Sequence, residues 1–144
     1  MNKEFVPYEQ ALELKELGFD EDCFGYYKLQ GKELVFREIK NSIIYNWKDS
    51  FIKFSQCSAP TYQQAFRWFR EKYDLVIEPC VPFQRLYSTE EDHFEILEFG
   101  YRIYSFDQYR GGLRDKIEWD GYDNSNEEEA ELECLKKLIE IIKK

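Results

Sequence analysis

Residues 62–73 read YQQAFRWFREKY, and this stretch constrains the fold more than any other. At about 100° per residue, Tyr62, Ala65, Phe66, Phe69 and Tyr73 gather within about 100° of helical arc. Such a stripe makes the segment a core helix, bounded by Pro60 in its first turn, with Ser58 or Thr61 as the available cap. Its end is expected near Asp74. Gln63, Arg67 and Arg70 point away from the stripe, and Trp68 lies roughly 120° from its centre, beside Gln64. An indole in that place is first read as clamped by a neighbouring segment. The functional reading is a partner or ligand surface lined by Trp68, Arg67, Gln64 and Arg70. Tryptophan and arginine are the usual interface anchors, and an indole can also stack on a flat ligand.

Two further helices are legible. Residues 8–17, YEQALELKEL, follow Pro7 and stop at Gly18, which can take the left-handed conformation that ends a helix. The last helix starts after Asn124, Ser125 and Asn126, with Glu127 to Glu129 in its first turn and lysines at its end. Its apolar residues spread over roughly 200° of arc, wider than one sheet face requires. The helix is therefore either packed on two sides or contributes to a homodimer, packing being the first reading.

Between the helices the pattern turns to strands. CFGYYKLQGKELVF (23–36) reads as a hairpin turning at Gln30–Gly31. Residues 37–57 read as two strands, or a strand and a loop. LVIEP is a short strand stopped by Pro79, and CVPFQRLYSTEEDH a loop with a turn of helix. HFEILEFGYRIYSFD (93–107) is the clearest strand, with a parity shift that predicts a β-bulge or a bend close to Leu97 or Gly100. IEWDGYD reads as a strand stub entering an Asp-Gly turn. The expected architecture is α+β, a small antiparallel or mixed sheet packed with about three helices, in one domain spanning 1–144.

Composition narrows function mainly by exclusion. Aromatics reach 18% of 144 residues, far from a disordered composition. The net charge is -9, and residues 88–144 alone hold 16 acidic against 8 basic side chains. A chain so charged repels phosphate backbones and anionic membranes, so non-specific nucleic-acid binding is not expected. No apolar run is long enough to span a membrane, and MNKEFVPYEQ lacks the apolar core of a secretion signal, so a cytoplasmic location is expected. Cys23, Cys57, Cys80 and Cys134 are widely spaced and fit reduced structural thiols.

Catalytic chemistry finds little support. His93 is the single histidine, and no spacing ties it to Cys57 or Cys80, so no catalytic residue, metal ligand or cofactor is nominated. YRGGLR (109–114) could offer backbone N–H groups with Arg110 and Arg114 to a phosphate, but it lacks the P-loop lysine and spacing. It reads first as a glycine turn. STEEDHFE (88–95) reads as a solvated charged turn rather than a divalent-ion site. Residues 118–133 are dense in carboxylates without a basic residue; phosphate-backbone mimicry is the functional reading and ordinary helix-start acidity the plain one.

Three blocks, VPYEQALELKELGFDEDCFGYY, CSAPTYQQAFRWFREKYDL and EEAELECLKKLIEIIKK, resemble a group of small uncharacterised proteins from phage and mobile-element-rich regions of bacteria, especially the Bacteroidetes. The resemblance carries no catalytic or binding residue onto this sequence. It implies a small accessory or host-interaction protein rather than a metabolic enzyme. The leading expectation is thus non-enzymatic binding of a protein partner or host factor. The alternatives are sequestration of a nucleotide-like small ligand, and a small hydrolase or nuclease using carboxylates and His93.

Overall fold

The computed structural model describes residues 2–28, 30–36, 56–88, 93–106, 115–124 and 126–144; for 2, 56, 80–88, 93–98, 106, 115–120 and 122–124 it describes the backbone. The fold is α+β, with three α-helices and two three-stranded antiparallel sheets among the described residues. The chain divides into two compact units, Met1–Trp68 and Phe69–Lys144.

In the first unit, α1 (Tyr8–Glu16) follows Pro7 and closes at Gly18, whose φ is 90°. The Phe19 N–H donates to the Leu14 carbonyl (2.9 Å) and the Gly18 N–H to that of Lys15 (3.0 Å), a Schellman motif that needs a left-handed residue at Gly18. Three strands follow in the order β2-β1-β3: β1 (Gly25–Lys28), β2 (Leu34–Phe36) and β3 (Gln56–Ala59). The expected hairpin is present, with Gly31 at positive φ in its turn. Along β1 Gly25 and Tyr27 are buried while Lys28 is exposed. Gly25 is paired on both sides, to Phe36 and to Ala59, and an added Cβ would stand 3.1 Å from the Val35 carbonyl oxygen. Only glycine fits that approach without a shift of backbone.

Helix α1 packs against β3 and buries Ala11 and Leu14. Tyr8 meets Tyr27 edge-on at 5.6 Å, and the Tyr27 hydroxyl donates to the Val6 carbonyl at 2.8 Å. Phe5 bridges Thr61, and the Val6 N–H donates to the Pro60 carbonyl at 2.9 Å. These bonds hold residues 59–61 extended. Helix α2 (Tyr62–Tyr73) therefore begins after Thr61, and Pro60 precedes the cap instead of occupying the first turn. Ser58 belongs to β3, which leaves Thr61 as the cap. Most of 37–57, the segment read as two strands or a strand and a loop, lies outside the described residues.

The boundary between the units falls within α2. In the second unit, Asp74 ends α2 in a left-handed conformation (φ 54°), its N–H donating to the Arg70 carbonyl. The sheet has the order β4-β5-β6, with β4 (Leu75–Ser88), β5 (His93–Phe106) and β6 (Asp115–Asn124). Two readings are corrected here. The strand expected to stop at Pro79 continues to Ser88, through what read as loop and helical turn. Proline is tolerated because β4 lies at the edge of this sheet, and the register shifts between Cys80 and Phe83, a bulge that spans Pro82. Likewise Asp120-Gly121 is no turn: Asp120 pairs with Arg102 and Gly121 with Tyr101 within β6. The β5–β6 register shifts twice, between Phe99 and Tyr101, around the expected Gly100, and between Ile103 and Tyr104; each time the extra residue lies on β6, not on β5.

Helix α3 (Glu127–Lys143) is capped by Asn126, whose side chain accepts from the Glu129 N–H at 2.9 Å. It packs on β5 and β6 and buries Ala130, Cys134, Leu135, Leu138 and Ile139, with Leu132, Ile141 and Ile142 half-buried. A packed helix thus accounts for most of the wide stripe. Cys23, Cys57 and Cys134 are buried thiols that form no disulfide.

Burial of two tyrosines gives a pH dependence. Desolvation raises the Tyr27 hydroxyl above its ordinary range, with negative charge at Cys57 and Glu9 acting the same way. Tyr101 is raised further, by burial first and then by Glu131, Cys134 and Glu127. A raised folded value means stability that is complete below the unfolded tyrosine value and lost as pH rises through the folded one. Urea midpoints should therefore fall above about pH 10. The Tyr27→Phe and Tyr101→Phe variants should show a shallower alkaline loss; an unchanged slope would exclude these hydroxyls as its source.

Candidate functional site

The helix face singled out by the sequence is built at the N-terminus of α2. The Gln64 N–H donates to Thr61 Oγ1 (3.2 Å) and the Thr61 N–H donates to Gln64 Oε1 (3.1 Å), a reciprocal capping box that satisfies two otherwise orphaned donors. The Gln64 side chain also reaches out of the helix: its Nε2 donates to the Asp22 carbonyl at 2.8 Å. One turn on, Arg67 Nη2 lies 3.5 Å from Glu21 Oε2 in a largely exposed ion pair. Trp68 is 5% exposed and meets Phe19 edge-on, with centroids 5.5 Å apart. Phe19 and Cys23 are themselves buried.

Gln64, Arg67 and Trp68 therefore converge on one object, the connection from Gly18 to Phe24 between α1 and β1. Spacings of three and four residues place them on one side of the helix, away from the aromatic stripe. The indole is buried with its ring against Phe19 of the connection, in keeping with the clamped reading. Arg67 and Arg70 are both exposed, Arg70 on the part of α2 that belongs to the second unit. Arg110 and Arg114, with the rest of YRGGLR, lie outside the described residues, as do Glu90, Glu91 and Asp92; His93 opens β5 as backbone alone. Among the described residues no group of three His, Cys, Asp or Glu side chains could hold a metal ion, and no helix is long and apolar enough to cross a membrane.

What the clamp presents is a residue that sequence reading missed. Phe24 is 66% exposed, although both chain neighbours, Cys23 and Gly25, are buried. Its backbone is fixed upstream by the Gln64 bond to Asp22 and downstream by the double pairing of Gly25. Phe36, opposite Gly25, is 42% exposed and leans edge-on against Phe5 at 5.4 Å. The signal was in the alternation of CFGYYK: Cys23, Gly25 and Tyr27 take the inward phase, which puts a phenylalanine in the phase that is polar in Lys28.

The acidic 118–133 stretch is divided in the structure. Glu127, Glu128 and Glu129 are exposed, whereas Glu131 is half-buried and its negative charge is one of the causes that raise the Tyr101 hydroxyl. On the sheet of the second unit, the Tyr104 hydroxyl donates to Glu78 Oε2 (2.7 Å) and accepts from Arg102 Nη1 (3.0 Å). This is a surface network joining neighbouring strands.

No protein-family model matches the chain, and neither a curated protein nor a solved structure matches it.

The three clamp residues should separate by burial when replaced. Trp68→Ala should cost about 3–5 kcal/mol as a large core truncation. Gln64→Ala should cost about 1–2 kcal/mol through the lost cap and the Asp22 bond. Arg67→Ala should cost less than about 1 kcal/mol, since its ion pair is exposed. Denaturant unfolding checks the order; an Arg67 effect equal to that of Trp68 would break this account of the clamp.

Proposed function

We propose that the chain is a non-enzymatic binding protein that engages a protein partner through the surface around Phe24. The observation that carries this reading is the two-thirds exposure of Phe24 on a backbone fixed from both sides. Isolated exposed apolar residues are ordinary on protein surfaces. A fixed one is a better anchor than a mobile one, because its ordering cost is met in folding rather than on association. In this reading Trp68, Gln64 and Arg67 serve the site as positioning residues. Binding of a host factor suits the phage and mobile-element setting that the three sequence blocks imply.

The test compares wild type with Phe24→Ser as bait in host cells, followed by reconstitution of any captured protein from purified components. Wild type should form the complex and Phe24→Ser should weaken it at least about tenfold, as expected for an interface anchor. Both should melt at the same temperature, since the replaced ring is mostly in solvent. Equal binding by the variant would overturn the reading. A retained mass of a few hundred daltons in native mass spectrometry would support small-ligand sequestration in its place.

A further inference from the structure

We draw no further inference here: the strongest candidate, the surface patch around the exposed Phe24 ring where the α1–β1 connection enters β1, belongs to the site already described, and nothing in the structure shows what covers it.

Discussion

The Gln64 side chain makes one link between elements far apart in sequence. Its carbonyl oxygen accepts from Thr61, its backbone N–H is satisfied by the Thr61 hydroxyl, and its amide nitrogen donates across 42 positions to Asp22. The first two bonds decide where α2 starts. The third decides where the α1–β1 connection lies. A helix N-terminus has orphaned donors to satisfy in any case, so the cap and the clamp form together at little additional conformational cost. Trp68, one turn away, then fills the apolar space under the same connection against Phe19. Loss of the amide would release the cap and the connection together, and with them the fixed setting of Phe24.

The second unit solves a different problem, that of an edge strand interrupted by prolines. Pro79 and Pro82 cannot donate to a ladder, so they are compatible only with a strand that has a side not needed for pairing. The order β4-β5-β6 supplies it, and the bulge between Cys80 and Phe83 absorbs the extra residue. Prolines on an edge also discourage unwanted pairing with other chains. On the same sheet the Glu78–Tyr104–Arg102 network ties neighbouring strands with charge-assisted hydrogen bonds rather than apolar contacts.

Local pattern revealed the features whose causes are local. The Gly18 terminator, the Asn126 cap, the core stripe of α2 and the existence of β5 depend on residues within a few positions. Two readings failed because proline and Asp-Gly were treated as stops, whereas strand order decides whether they stop anything. The off-stripe residues of α2 stood apart in the sequence, and their clamping role depends on contacts to Phe19, Glu21 and Asp22 more than 40 positions away. No periodicity encodes a partner at that distance. Phe24 was hidden for the opposite reason: an aromatic in a hairpin reads as a strand former, and only the phase of its neighbours marks it as outward.

The energetics of the Phe24 surface limit what it can do alone. Burying a phenylalanine side chain is worth about 1.5–3 kcal/mol, and part of this ring is already covered. Association costs more than that in lost translational and rotational freedom. The anchor therefore needs a rim, and an interface of standard size takes about 800 Å² from each partner. In the proposed reading the rest of that area has to come from the surface around the ring, and the clamp decides where the ring stands within it, because Phe24 follows Asp22 by two residues and precedes the doubly paired Gly25.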